Sequence, residues 1–307
     1  MRCEPAPKRD VVSDFTSVRS AKTGWRRTWL AKIALYIHAR YCLYYGTLAA
    51  LETLPKRRWS PKGRAALIHC YEGSTKDWDA MRTDFLASLT PTARAICPYC
   101  LIREPESWDH FLPKEQFPEY AVLLVNLIYV CGRCNRKKGE YLVGQPRAVL
   151  NPYFDDIPEH TALLHAGVAI VGGTPKLQFI IGGGPPIPAS LVQLAQRHFA
   201  AFELQSKLIS AGGGYLAMLV DELAERYKHP IDQPTLTGEL DVKLAGLTTA
   251  SANDWRVALL HGLKACNGLV AYINRHIAAK AIVSVREPRP PRDNTFQVLA
   301  TLAAERS

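Results

Sequence analysis

Two short cysteine motifs carry the clearest chemistry in the chain. Cys97-Pro98-Tyr99-Cys100 and Cys131-Gly132-Arg133-Cys134 are separated by 30 residues, 101–130. Four thiolates so spaced suit tetrahedral Zn²⁺ in a closed structural site, with no ligand position left for catalysis. Between and just after the pairs stand Asp109-His110, Asn126 and Asn135. An imidazole titrates near neutral pH and can take a proton from water without holding a metal. A carboxylate and an amide oxygen are hard ligands of the kind Mg²⁺ or Mn²⁺ prefers. Arg133, Arg136, Lys137 and Lys138 cluster at the second pair, and Lys114 follows the histidine. Such cations can position a phosphate backbone without reading bases; a solvated helix face is the other use of the same charges.

The series Trp108-Asp109-His110-Phe111-Leu112-Pro113-Lys114, Val125-Asn126-Leu127 and Cys134-Asn135-Arg136-Lys137-Lys138-Gly139 resembles the HNH endonucleases. These are the zinc-stapled branch of the His-Me finger (ββα-metal) superfamily, and the resemblance covers about 55 residues. It implies that His110 is the general base and that Asn126 braces the hairpin that orients it. It further implies that Asp109 and Asn135 hold one catalytic Mg²⁺ or Mn²⁺, with structural zinc on Cys97, Cys100, Cys131 and Cys134. Asn135 stands where some members have His. The implied reaction is phosphodiester hydrolysis leaving a 5′-phosphate, with DNA expected ahead of RNA and contacted by Lys114, Arg133, Arg136, Lys137 and Lys138. Phe117-Pro118-Glu119-Tyr120 and Asn151-Pro152-Tyr153-Phe154-Asp155 extend the resemblance to PtuB-like HNH subunits of bacterial anti-phage defence systems, which act beside an ATPase. A role in defence or restriction and an ATPase partner subunit follow from that resemblance. Two other readings use the same residues: an RNA-cleaving toxin or effector, and a catalytically silent zinc module that binds nucleic acid or protein. The silent module predicts substitutions at Asp109, His110 or Asn135, and all three are intact.

The elements that must position these residues read as α+β: a mostly helical protein around a central zinc-stapled ββα module. Three parts are expected: a basic helical region at 1–94, the nuclease module at 95–150, and a mainly helical region with a short β-hairpin at 151–307. Trp29, Ile33, Tyr36/Ile37, Tyr41, Tyr44 and Leu48 recur at helical spacing, Pro55 and Pro61 interrupt the pattern, and 75–89 suggests a further helix. Packing in the core is the expected use of that aromatic stripe. Two strand candidates, 163–171 and 176–181, flank Gly172-Gly173-Thr174-Pro175. Gly182 to Pro186 reads as a loop, because the Lys-Ser/Thr of a phosphate-binding loop does not follow it. Helical periodicity returns over 191–210, 215–228 and 255–276, and Arg286 to Arg292 reads as a stiff connector.

Composition agrees with a globular chain, since 48% of the 307 residues are hydrophobic and 21% charged. The net charge is +10, and its excess is N-terminal: residues 1–64 hold 14 Lys/Arg against 4 Asp/Glu, while the rest holds 24 of each. A surplus of this kind favours nucleic acid or another polyanion. No secretion signal or membrane-length apolar run is read, so a cytoplasmic location and no membrane partner are expected. Cys3, Cys42, Cys70 and Cys266 stand alone and are expected only to pack.

Overall fold

Helix starts in the N-terminal region coincide with side chains that accept orphan backbone N–H groups. Asp10 caps α1 (Val11–Ser20), Ser60 caps α4 (Pro61–Glu72) and Thr75 caps α5 (Lys76–Ser88). Between them lie α2 (Gly24–Lys32) and α3 (Ala34–Tyr45), and Thr90 caps the short α6 (Pro91–Ala95). The computed structural model describes residues 6–139, 146–183, 186–247 and 251–286.

The periodicity from Trp29 to Leu48 predicts one face, yet the helix bends at Ile33 (φ −96°, ψ 0°). The two arms do different work. Trp29 of α2 lies against Gly63 of α4, so closely that a Cβ there would come within 2.7 Å of the indole. Ile37, Tyr41 and Tyr44 of α3 enter the core, each no more than 2% exposed.

The central unit is β1 (Ser107–His110), β2 (Leu127–Val130) and α7 (Gly132–Lys138), in ββα order. The strands pair antiparallel, with His110 opposite Leu127 and Ser107 opposite Val130. Between them the chain makes two short 3-10 turns, Pro118–Tyr120 and Leu124–Asn126.

A second hairpin, β3 (Leu164–Val171) and β4 (Thr174–Ile181), turns at Gly172 and Gly173, whose φ values of 57° and 80° favour glycine. β4 starts two residues before the expected strand, so Thr174 and Pro175 belong to the ladder instead of the turn. Pro175 is tolerated because a two-stranded ribbon has open edges. Helices α8 (Ala189–Ala201), α9 (Leu204–Arg226), α10 (Gln233–Ala245), α11 (Trp255–Lys264) and α12 (Leu269–Arg286) complete the described residues, with α9, α11 and α12 against the hairpin.

The fold is therefore mostly helical with two small two-stranded sheets, an α+β arrangement. Among the described residues, no helix is long and apolar enough to cross a membrane. The expected loop at 182–186 falls partly outside the described residues, as does the connector beyond Arg286, and Cys3 lies wholly outside them.

Candidate active site and metal centre

The four paired cysteines converge. Cys97, Cys100, Cys131 and Cys134 are all buried, and their Sγ atoms lie within 4.8 Å of one another. Zinc–sulfur bonds of about 2.3 Å around a tetrahedron place sulfurs a little under 4 Å apart, and Cys100 and Cys131 stand at 4.0 Å. The knuckle is made by backbone: Leu101 N–H donates to the Cys97 carbonyl (2.9 Å), Cys97 N–H donates to the Arg103 carbonyl (2.7 Å), and Leu101 takes a φ of 56°. Hydrogen bonds from Cys131, Cys134 and Cys97 hold the Cys100 thiol well below its ordinary value. A shared-proton thiol cluster of this kind is a donor set suited to zinc.

Asn126 is wholly enclosed, and its amide uses its full bonding capacity. Oδ1 accepts from Leu112 N (2.8 Å) and the Tyr44 hydroxyl (3.3 Å), while Nδ2 donates to the carbonyls of Leu112 (3.1 Å) and Tyr120 (3.2 Å). Phe111 N–H also donates to the Asn126 carbonyl, so both ends of the 111–126 connection are pinned next to His110. Asn126→Ala leaves the Leu112 N–H and carbonyl buried and unpaired, at about 1–3 kcal/mol for each group that finds no water, while the Tyr44 hydroxyl keeps the Val125 carbonyl and the Tyr120 carbonyl keeps Leu123 N–H. We expect a loss of at least about 2 kcal/mol in urea denaturation; a variant within about 1 kcal/mol of wild type would refute the bracing role.

His110 is 8% exposed. Its Nε2 lies 2.9 Å from the Ala121 carbonyl, and a carbonyl can only accept, so Nε2 carries the hydrogen and Nδ1 keeps the lone pair. The Tyr71 ring of α4 meets the imidazole edge to face, with centroids 4.4 Å apart. Burial pushes the imidazolium down to about 4 against the opposing pull of the Ala121 carbonyl, so the ring is neutral at physiological pH.

Asp109, the preceding residue of β1, turns to other partners. Its Oδ2 accepts from the Tyr99 hydroxyl (2.7 Å) and its Oδ1 from Lys138 Nζ (2.9 Å), and Lys138 also donates to the His110 carbonyl (2.7 Å). One turn earlier on α7, Asn135 Nδ2 donates to Ser107 Oγ (3.2 Å) and the Trp108 carbonyl (3.1 Å), leaving Oδ1 without a donor among the described residues. A carboxylate has about four lone-pair sites, so Asp109 retains acceptor capacity beside Tyr99 and Lys138. Asp109 on β1 and Asn135 on α7 each offer a hard oxygen of the type divalent cations prefer.

The five expected phosphate contacts divide. Arg133 and Arg136 are exposed on α7, Lys137 pairs with Glu203 at 2.6 Å, and Lys114 pairs with Glu72 (3.1 Å) and Glu115 (2.6 Å). Lys138 is only 1% exposed. Helical period explains the inward turn, because position 138 shares the inner face with Cys134. Removing one partner of a buried pair strands the other's charge, at about 3–5 kcal/mol. Lys138→Met is expected to cost that much in denaturation, and Asp109→Asn added to it should recover most of the loss. A Lys138→Met chain as stable as wild type would show that the pair is not formed.

Tyr99, Tyr71 and the positioning contacts of Glu119 escape a reading of the sequence. Tyr99 had a signal, since it lies inside the first CxxC. Glu119 joins Arg40 (3.0 Å) and the Trp59 indole (2.9 Å), and ties the connection to the N-terminal helices. Nothing in the local sequence around Tyr71 marks it as the partner of a ring 39 residues away.

No protein-family profile and no solved structure matches the chain. It is 30% identical over 168 residues to protein ea31 of Escherichia phage lambda, an alignment covering 52% of this chain and 55% of the phage protein. It is 34% identical over 74 residues to the Septu protein PtuB of Bacillus thuringiensis, covering 22% of this chain and 28% of PtuB. The chain thus spans about half or less of the length of these curated relatives, and it is homologous in part to PtuB and carries a four-cysteine cluster able to bind a metal such as zinc.

Proposed function

We propose that this chain is a metal-dependent HNH-type endonuclease that hydrolyses phosphodiester bonds, in DNA ahead of RNA, within an anti-phage defence or restriction system. The observation that carries the reading is His110, a buried neutral imidazole with its lone pair on Nδ1, set on a ββα unit beside four converging thiols and braced by Asn126. Similarity to PtuB and to a phage protein supports a phage-related role.

In this mechanism His110 Nδ1 takes a proton from water, the oxygen attacks phosphorus, and the 3′ oxygen departs to leave a 5′-phosphate. Asp109 and Asn135 would hold Mg²⁺ or Mn²⁺, which when bound supplies charge stabilisation at the phosphate and the leaving oxygen. Lys138 positions Asp109 and the His110 backbone together. Arg133 and Arg136 contact flanking phosphates, with Lys114 and Lys137 exchanging carboxylate partners for them. Zinc on the four cysteines holds the unit and takes no part in the reaction. The flanking regions, 1–94 and 151–307, grip substrate or partners. The resemblance to defence-system subunits makes an ATPase the partner to seek, and the cytoplasm the place of action.

The test is cleavage of plasmid, single-stranded DNA and RNA with Mg²⁺, Mn²⁺ or EDTA, comparing wild type with His110→Ala. Cleavage that needs the divalent ion and is lost in the variant is the expected result. Unchanged cleavage by the variant would remove the base, and no cleavage of any substrate would favour a silent binding module.

A further inference from the structure

Part of the charge surplus of residues 1–64 is exposed on α2, the 56–58 segment and the start of α4. Arg27, Lys32, Lys56, Arg57, Arg58 and Lys62 are exposed, and none forms an ion pair with a described carboxylate. Several cations of the C-terminal region are paired instead: Arg226 with Glu239, Lys264 with Asp241 and Lys280 with Glu225. Between Phe15 and Tyr71 the sequence contains one acidic residue, Glu52, and that residue faces Arg147. The surface therefore carries positive charge with no internal counter-charge.

Aromatic rings are interleaved with these cations. Lys62 Nζ sits 4.5 Å from the Trp25 ring centroid and the Arg26 guanidinium 5.1 Å from it. The Arg57 guanidinium stands 5.2 Å from Tyr36 and 6.0 Å from Trp59, and the rings of Tyr36 and Trp59 meet edge to face at 5.6 Å. Trp29 and Trp59 serve packing, since Trp29 lies on Gly63 and the Trp59 indole donates to Glu119. Core packing does not account for Trp25 and Tyr36, which are 39% and 37% exposed.

We infer that this shelf, formed by α2, α3, the start of α4 and the 56–59 segment, binds single-stranded nucleic acid, with bases on Trp25 and Tyr36 and phosphates on Arg57, Lys62 and their neighbours. Unstacked bases offer π faces to such rings, whereas a duplex hides them. The shelf is joined to the candidate site by α4. Its first turn carries Lys62, its last carries Tyr71 against His110, and Arg64 donates to the Glu115 carbonyl in between. Nine residues of helix span about 13 Å, a distance a strand of a few nucleotides covers. A strand on the shelf would thus present a phosphate to His110 a few nucleotides away; this last step rests on the nuclease reading, and binding itself does not.

The experiment is fluorescence anisotropy with labelled dT15 and a 15-base-pair duplex, in EDTA so that nothing is cleaved. Trp25→Ala/Tyr36→Ala should weaken dT15 binding by at least about tenfold and duplex binding by less than about twofold. Arg57→Ser/Lys62→Ser, at two exposed positions where folding is not at stake, should flatten the slope of log K against log salt for dT15 by about 1.4. Wild-type dT15 affinity and salt slope in both variants would overturn the proposal. So would equal competition by poly-glutamate, which would mark a docking face for an acidic protein. His110→Ala should bind dT15 as wild type does, so loss of the nuclease reading leaves the shelf standing and loss of the shelf leaves the nuclease standing.

Discussion

Cys134→Ser should release the metal and lower the melting temperature by at least about 10 °C, the largest stability effect expected of any single change in the chain. The four Sγ atoms lie within 4.8 Å of each other and are buried. Structural zinc sites bind with apparent free energies of about 10–16 kcal/mol in small peptides, against a total stability of about 5–15 kcal/mol for ordinary domains. Here the cluster shares its load with apolar packing, since Phe111, Leu112, Tyr120 and Leu127 are all buried around the same unit. The variant is therefore expected to lose part of the binding energy, and about 4 kcal/mol already corresponds to a shift near 10 °C in a chain of this size. Zinc content by mass spectrometry and a melting curve decide the matter. Cys70→Ser is the control, because the lone Cys70 thiol donates only to the Ala66 carbonyl and should leave zinc at one per chain. A Cys134→Ser chain that still holds one zinc and melts with wild type would sink the metal centre.

What could be read in advance was what local spacing specifies. Two CxxC pairs bring four thiols together in any compact arrangement that closes the 101–130 segment, so convergence followed from the sequence alone. The hairpin at Gly172-Gly173 was equally legible, because positive φ at both central residues is a demand few other residues meet. Failures arose where a long-range contact overrode a local signal. Gly212-Gly213-Gly214 looks like a break between two helices, yet α9 runs straight through it. A Cβ at Gly212 would press within 3.3 Å of Leu177 and Phe179, so this glycine makes room for β4. The periodicity over 255–276 suggests one helix where α11 and α12 are separated by Gly268 at φ 84°. Helices α1 and α10 carry no long apolar stripe to announce them, although Asp10 and Asp232 cap them.

The candidate site divides in the same way. Position in the motif series singles out Asp109, His110, Asn126 and Asn135 as the proposed site, but the direction of each side chain depends on partners far away in sequence. Lys138 was expected outside among phosphate contacts, and its ammonium instead lies between Asp109 and the His110 carbonyl. A lysine is expensive to enclose, and the sequence gives no sign that a carboxylate 29 residues earlier will neutralise it.

His110→Ala is expected to reduce cleavage by about 10²–10⁴-fold, the usual contribution of a positioned base, while His110→Asn tests whether a hydrogen bond to the Ala121 carbonyl alone restores the fold without the activity. The pH dependence follows from the tautomer and the burial. With the imidazolium pushed down to about 4, Nδ1 is unprotonated throughout the neutral range and stays so until the pH approaches that value. The acid limb of kcat/KM, which reports the free protein, should therefore lie near 4 rather than near the ordinary 6.5 of histidine. A bound phosphodiester places negative charge beside the ring and favours its protonated form, so the acid limb of kcat should lie higher than that of kcat/KM. Stability carries the same sign as the usual carboxylate case and the opposite sign of a histidine that gains an acidic partner. Below about 6.5 the unfolded chain takes up a proton that folded His110 refuses, so stability falls as the pH drops from 6.5 to about 4, by roughly 3 kcal/mol in all. His198 adds to the same loss: it is fully enclosed, its Nδ1 accepts from Leu150 N (3.1 Å), its Nε2 donates to the Tyr99 carbonyl (2.9 Å), and burial holds it too at about 4. His110→Ala should remove its own share of that acid sensitivity and leave the His198 share in place. A kcat/KM limb near 6.5, or a variant whose acid sensitivity matches wild type, would mean that the imidazole is neither enclosed nor oriented as the geometry has it.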